Sequence, residues 1–455
     1  MPADRDLLSR LPEACRNYLN GGKPEEIEAV ISDFVGVARG KNMPWSKFTK
    51  EERVFLPTSI FYSTVDGAYV DMDIENQWME RDMTLRPCYD TARACPWAEE
   101  PTIQVIHDLV DSEGNDIPLA PRNVLKRVVA LYEAEGWAPV VAPEMEFYLI
   151  QRNIDPMFPV QPPVGRTGRR VPGSQAYSMT AVEDYGKVID DIYDFAEAQG
   201  IEIDTIIQES GPGQVEVNFI HGDPLALADQ VFTFKRTLRE AALRNDLYCT
   251  FMAKPMEDEP GSAMHIHQSV TDMQSGENIF NDAAGEATDL FHAYIGGLQT
   301  HMPKVVSLFA PYVNSYRRFI ADEAAPINLE WGRDNRTTGL RIPISRTEAR
   351  RIENRIVGMD ANPYLAIAAS LACGYLGMKE GLKPRPAIKE EAYRLPRALP
   401  RGLLEAVELF EGCPEITQVL GQEFCVLYKA IKRHEAEAFL DIISPWEREH
   451  LLLNV

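Results

Sequence analysis

Pro143-Glu-Met-Glu-Phe147 places two carboxylates, Glu144 and Glu146, on one face of a short strand, with Met145 and Phe147 on the other. Side chains alternate along a strand, so residues two apart share a face at roughly 6.5–7 Å. Three further segments repeat the pattern. In Gln214-Val-Glu-Val-Asn-Phe219, Glu216 and Asn218 oppose Val215, Val217 and Phe219. In Met264-His-Ile-His267, His265 and His267 oppose Met264 and Ile266. In Arg350-Arg-Ile-Glu-Asn-Arg355, Arg351, Glu353 and Arg355 oppose Ile352 and Ile356. One such face is ordinarily just solvated, as antiparallel sheets allow. Four together carry carboxylate, imidazole and guanidinium groups instead of the Lys, Thr and Ser of a generic surface. Carboxylates crowded on a sheet face repel one another and need cations when partly buried. A site rich in carboxylates with a single imidazole suits the hard ions Mg²⁺ or Mn²⁺ better than zinc. The arginines read as clamps for phosphate or carboxylate.

Outward from these strands, helices and strands mix without strict alternation, which predicts an α+β fold and not a doubly wound parallel sheet. Strands are expected over 140–150, 201–209, 214–220, 248–254 and 264–270. Helices are expected from Pro121 until Gly136 stops them, around Val188–Phe195 up to Gly200, and over 224–244. Asn362 followed by Pro363 reads as N-cap and first turn of a buried helix over 362–378. The stretch 156–173, with five prolines, must be a loop. The first hundred residues are short apolar runs, such as 29–37 and 54–62, and look like a small β-rich unit. The turn-prone Asp111-Ser-Glu-Gly-Asn-Asp116 marks its end.

The chain has 455 residues, 46 basic against 69 acidic, for a net charge of −23. That balance argues against sequence-independent nucleic-acid binding, which needs clustered Lys and Arg. The composition is globular, which excludes disorder as the main state. The seven cysteines are scattered without a C-x-x-C pair, as expected of thiols in a reducing compartment. Residues 1–22 lack the apolar core of a signal peptide, and the uncharged run 362–378 is too short to span a bilayer. A cytoplasmic protein without membrane contact is expected. There is no phosphate-binding glycine loop, dinucleotide fingerprint, H-E-x-x-H or G-x-S-x-G, so a nucleotide would have to bind through metals and arginines. The lone Glu447-x-x-His450 pair reads as surface.

The sequence resembles the glutamine synthetase family of bacterial type I over nearly its whole length. The matching segments are Pro143–Leu149, Gly213-Gln-Val-Glu216, Lys254-Pro255, Gly261-Ser-Ala-Met-His-Ile-His267 and Asn314-Ser-Tyr-Arg-Arg318. Asn335-Arg-Thr-Thr-Gly-Leu-Arg-Ile-Pro343, Arg350–Arg355 and Asn362-Pro-Tyr364 complete the set. The resemblance implies a β-grasp domain over 1–115 and, over 116–455, a catalytic domain whose curved antiparallel sheet is flanked by helices. It also implies a dodecamer of two hexameric rings, with ATP and two Mg²⁺ or Mn²⁺ ions at each site. Glu146, Glu209 and Glu216 resemble the ligands of one ion, and Glu144, His265 and Glu353 those of the other. Arg336 and Arg341 resemble the residues that neutralise the transferring phosphoryl group. Arg318, Arg355 and Gly261 resemble the glutamate pocket, and His267, Ser269 and Arg351 the nucleotide contacts.

Two positions depart from the family. Val54-Phe-Leu-Pro-Thr-Ser-Ile60 has Leu56 where the family has the aspartate that attracts and deprotonates ammonium. In Asp322-Glu-Ala-Ala-Pro326, Ala324 stands at the family's flap glutamate, with Glu323 one position early as the candidate base and Asp322 beside it. Leu and Ala in place of carboxylates change a compact anionic cage into a roomier, apolar pocket suited to an alkylamine. The expected activity is that of the γ-glutamylpolyamine and γ-glutamylputrescine synthetases of polyamine catabolism, joining glutamate to an amine. A true glutamine synthetase using ammonium and an inactive homologue with a structural or regulatory binding role are the alternatives. Tyr393 lies where some type I enzymes are adenylylated, but Arg394 follows it in place of an acidic residue, and a plain surface tyrosine is expected.

Overall fold

A computed structural model describes residues 2–51, 53–72, 77–320 and 325–455. The first sheet contains β1 (Glu26–Ser32), β2 (Ala38–Pro44), β3 (Val54–Pro57), β4 (Asp82–Pro87), β5 (Arg93–Ala94) and β6 (Thr102–Val110). Its order is β2-β1-β6-β4-β3, with β5 beside β6. The parallel β1–β6 pair amid antiparallel neighbours is a β-grasp arrangement. The expected run 29–37 breaks after Ser32 because Asp33 Oδ1 accepts from the Val35 and Val37 amides and turns the chain into β2. Likewise 54–62 is a strand only to Pro57 and then a 3₁₀ turn, Thr58–Tyr62.

The second sheet contains β7 (Trp137–Gln151), β8 (Ile203–Gln208), β9 (Gln214–Phe219), β10 (Leu247–Thr250), β11 (Ile266–Asp272), β12 (Trp331–Arg333), β13 (Leu340–Ile342) and β14 (Ile352–Asn354). Its order is β12-β13-β14-β11-β7-β9-β8, with β10 also on β7. All pairs are antiparallel except β12–β13. The long β7 organises it, pairing with β11 over its first half and with β9 and β10 over its second. The 248–254 strand ends early, at Thr250, because the next stretch of β7 bonds elsewhere: the Glu146 and Glu144 amides donate to Ala263 O and His265 O. The 264–270 strand starts late because the Met264 amide turns to Val357 O.

Helices Pro121–Ala134, Gly186–Gln199, Pro224–Arg244, Asp289–His301 and Pro363–Glu380 supply much of the helical layer. Asn362 caps the last through the Tyr364 and Leu365 amides, as its sequence predicts. That helix is apolar nearly all round because it runs through the core. It packs backbone to backbone on Asp289–His301: a Cβ on Gly377 would lie 2.3 Å from Ala293 O. Charge pairs tie the first sheet to the helices. Arg122 bridges Asp108 on β6 and Asp229 on Pro224–Arg244, and Arg236 pairs with Glu28 on β1.

Apart from one bridge, Val164–Arg170, the proline-rich stretch 156–173 has no strand or helix. All seven cysteines are free. Glu447 closes a capping box with Ser444 on the short helix Pro445–His450, a structural use of that pair. Among the described residues no helix is long and apolar enough to cross a membrane.

Candidate active site

Antiparallel register brings the four polar faces together. Glu144 lies opposite Asn218 and Glu146 opposite Glu216 across β7–β9. His267 lies opposite Glu353 across β11–β14, and Glu353 opposite Arg341 across β13–β14. Rows that a strand pattern only places on a face thereby become one continuous patch.

Glu144 sits between two imidazoles, its Oε2 3.0 Å from His265 Nδ1 and its Oε1 2.8 Å from His267 Nε2. Arg351 Nε donates to His267 Nδ1 at 3.1 Å, which makes that nitrogen an acceptor and puts the ring proton on Nε2, facing Glu144. Glu353 is fully buried and accepts from Arg341 Nη1 at 2.7 Å and from Arg355 Nη1. Arg341 is held from behind by Asp334, at 2.8 Å.

Two groups of ligand atoms converge within 4.8 Å: Glu144, His265 and Glu353, and Glu146, Glu216 and His265. The first contains the trio expected for one ion. The second differs from expectation, with His265 in the place of Glu209. Glu209 follows β8 directly, beyond the last paired residue, and adds its negative charge to Glu146 and Glu216 from the side.

The electrostatics are those of a site short of positive charge on one side. Burial, reinforced by neighbouring carboxylates, drives Glu146 well above the carboxylate range and Glu216 up to about 8. Burial also raises Glu209. Burial opposes ionisation of Glu144 too, but hydrogen bonds with His265 and His267 bring it below its ordinary value. Arg355 and the two histidines overcome burial at Glu353 and hold it down to about 2. Two buried carboxylates that cannot both ionise beside an imidazole are a donor set suited to a dication. Arg341 Nε and Arg355 Nε are buried with no hydrogen-bond partner among the described residues, so each guanidinium retains a free donor.

Beside this patch opens a cleft of about 1560 Å³, lined in part by Glu144, Asn218, His267, Ser269, Arg346 and Arg351. His267, Ser269 and Arg351, read together from the sequence, are all on its wall. On the other side Arg318 is buried against Ile356 O, with Gly261 pressed on its stem: a Cβ there would lie 2.5 Å from Arg318 Cγ and 2.5 Å from Ala253 O. Burial lowers Arg318 to about 10 even though Glu146 and Asp360 favour its charge. Arg336 is exposed, and its charge reaches Glu209. Glu323, Asp322 and Ala324 lie outside the described residues.

Leu56 is 7% exposed and packs into the N-terminal core, while Phe55 beside it is 39% exposed. Within this chain, then, it is Phe55 and not Leu56 that faces outward from β3. Tyr393 is half-buried in a 3₁₀ turn.

Several supporting residues escape the strand pattern. Gln214 Nε2 donates to Gly261 O at 3.0 Å and to Glu146 Oε2 at 3.4 Å; its parity with Glu216 and Asn218 was the available signal. Asp334 lies in a turn, where no periodicity marks it.

Residues 118–451 match the family model of the glutamine synthetase catalytic domain. The chain belongs to the glutamine synthetase family. It is 36% identical to the γ-glutamylputrescine synthetase of Escherichia coli (strain K12), covering 94% of this chain and 92% of that one. It is 31% identical to a glutamate–isopropylamine ligase of a Pseudomonas species, covering 95% and 96%. A glutamine synthetase of Halobacterium salinarum is also 31% identical, over 93% and 92%. Among solved structures, one described as apo GmaS without ligand superposes with a TM-score of 0.81 at 26% identity, covering 97% and 99%. Glutamine synthetase family ligases use ATP and divalent metals and act on small-molecule substrates. The carboxylate–histidine patch fits that chemistry.

Proposed function

We propose that this family member joins the γ-carboxyl group of L-glutamate to an amine, with ATP, through γ-glutamyl phosphate. The amine is a polyamine such as putrescine or spermidine, or another primary amine. The observation that carries this reading is the 36% identity to a γ-glutamylputrescine synthetase over nearly the whole chain.

In this reading Arg318 and Arg355 hold the glutamate carboxylates beside Gly261, and His267, Ser269 and Arg351 hold the nucleotide in the cleft. Glu144, His265 and Glu353, with Glu146, Glu209 and Glu216, would hold two Mg²⁺ or Mn²⁺ ions. Those ions, when bound, neutralise phosphate charge during transfer. Arg341 and Arg336 face the same developing charge, and the free Arg341 Nε is a donor available to a phosphoryl oxygen. The γ-carboxylate attacks the terminal phosphorus and ADP leaves; the amine then attacks the γ-carbonyl and phosphate leaves. An amine with a pKa near 10.4 is mostly protonated at pH 7, which withholds about 4–5 kcal/mol of nucleophile, so a base is required. Glu323 is the residue assigned to that task, with Asp322 as its neighbour.

Ammonium as the nucleophile is the second reading, favoured by the 31% identity to a glutamine synthetase. An inactive homologue would have no reason to keep converging ligand sets. ATP hydrolysis with glutamate, Mg²⁺ and a panel of amines that includes ammonium separates the three. Turnover that depends on an organic amine supports the proposal, ammonium preference supports the second reading, and silence supports an inactive homologue. The division into 1–115 and 116–455 is supported by the two separate sheets and by a family match that begins at residue 118. A cytoplasmic dodecamer of two hexameric rings completes the proposal; light scattering on the purified chain tests the assembly.

A further inference from the structure

The back of the site's sheet carries polar side chains where apolar ones would pack. Gln268 and Asn354 alternate with His267 and Glu353 along β11 and β14 and so face away from the site. Both are buried, as are Ser370 and Tyr294 on the helices behind them. Ser370 Oγ donates to Gln268 Oε1 at 3.1 Å and accepts from Asn354 Nδ2 at 3.0 Å. Tyr294 Oη donates to the same Gln268 oxygen at 2.8 Å. Asn354 Oδ1 accepts from the Ile356 amide at 3.0 Å, fastening the strand's exit. Their surroundings, including Ile266, Val270, Ile352 and Leu371, are apolar core.

Buried polar groups mostly recover their own desolvation, so bulk stability does not explain this set. Direction does. β14 has three residues, and its register on β11 rests on Ile266–Asn354, His267–Glu353 and Gln268–Ile352. A slip of one residue would turn Glu353 toward the helices and Asn354 toward the site. The Ser370 hydroxyl spans both strands in the observed register, and a slip carries Asn354 away from it.

We infer that Asn354, Ser370 and Gln268 are positioning residues that lock β14 onto β11, and so set how tightly the Glu144–His265–Glu353 group binds a divalent cation. This rests on the proposed role of that group as metal ligands. The test is Mn²⁺ binding to the full chain, followed by electron paramagnetic resonance without glutamate, amine or nucleotide. Ser370→Ala and Asn354→Leu should weaken Mn²⁺ binding about tenfold or more, the usual effect of losing a group that orients ligands. Ser370→Thr, which keeps the hydroxyl, should restore most of it. Tyr428→Phe is the control, because the buried Tyr428 Oη donates to Ser307 O at 2.8 Å, outside this network. Should Asn354→Leu fail to fold, Ser370→Ala carries the test by removing a single oxygen. Unchanged affinity in Ser370→Ala, or an equal loss in Tyr428→Phe, overturns the inference. Absence of Mn²⁺ binding by the unsubstituted protein instead overturns the metal reading beneath it.

Discussion

Glu353 and Arg341 face each other across the β13–β14 pair, and Arg341 Nη1 donates to Glu353 Oε2 at 2.7 Å. Asp334 holds the other guanidinium nitrogen at 2.8 Å, so Arg341 is fixed at both ends with Nε left free. A preorganised donor of this kind acts on charge that develops during the reaction, not on ground-state binding. Arg341→Ala should therefore lower kcat by roughly 10²–10³, about 3–4 kcal/mol, with little change in KM for glutamate. Steady-state kinetics decide it; a rise in KM alone would remove Arg341 from phosphoryl transfer.

Glu216 concerns the metal-free protein. Its folded pKa, about 8, lies above the ordinary 4.5, so the stability linked to it is full below 4.5 and is lost as pH rises through 8. Glu216→Gln removes that penalty, on the order of a few kcal/mol. The variant's Tm without metal at pH 8.5 should exceed that of the unsubstituted protein, its Tm should respond less to Mg²⁺, and ligation should be lost. A variant that melts lower and still responds fully to Mg²⁺ would take Glu216 out of the ligand set.

Gly261 has no room for a methyl group. In Gly261→Ala the new carbon meets the Ala253 carbonyl and the Arg318 stem, each at 2.5 Å, and the carbonyl belongs to backbone that cannot swing aside. Arg318 should be displaced from the pocket proposed for glutamate, raising KM for glutamate at least about tenfold, since a 1.4 kcal/mol loss already does so. Glutamate titration at saturating ATP and amine measures it.

Leu56→Asp tests whether this position is a pocket wall or core. Its burial places the new carboxylate among apolar side chains, with an expected cost of about 2–4 kcal/mol and no gain in ammonium-dependent turnover. Chemical denaturation and an ammonium assay on the same preparation give both answers. A stable variant that uses ammonium would mean that the side chain reaches a site.

His107 should make the N-terminal sheet sensitive to acid. Burial pushes its pKa down to about 4 from 6.5, so its stabilising share is whole above 6.5 and is lost as pH falls through 4. The change is about 3 kcal/mol from the 1.36 kcal/mol per unit relation. Unfolding curves between pH 7 and 4 should lose stability more steeply in the unsubstituted protein than in His107→Phe.

Strand alternation and helix punctuation are local properties, and the sequence exposed them well. Asn362-Pro363 opened its helix and Gly200 closed another, as read; the structure puts Gly200 in the left-handed conformation. Errors gathered where another partner competes with the ladder: the Asp33 carboxylate turned 29–37, and the Met264 amide left the strand for the Val357 carbonyl.

By itself the sequence determined which residues share a polar face and, by resemblance, what family the chain belongs to, because a two-residue period and a string of motifs need no third dimension. Only the tertiary structure decided which of those residues meet. That His265 comes within reach of both Glu146 and Glu216, that Leu56 turns inward, and that Asn354 is held by Ser370 all depend on register and packing between segments far apart in the chain. Such distances arise from how strands pair and helices dock, and no local pattern encodes them.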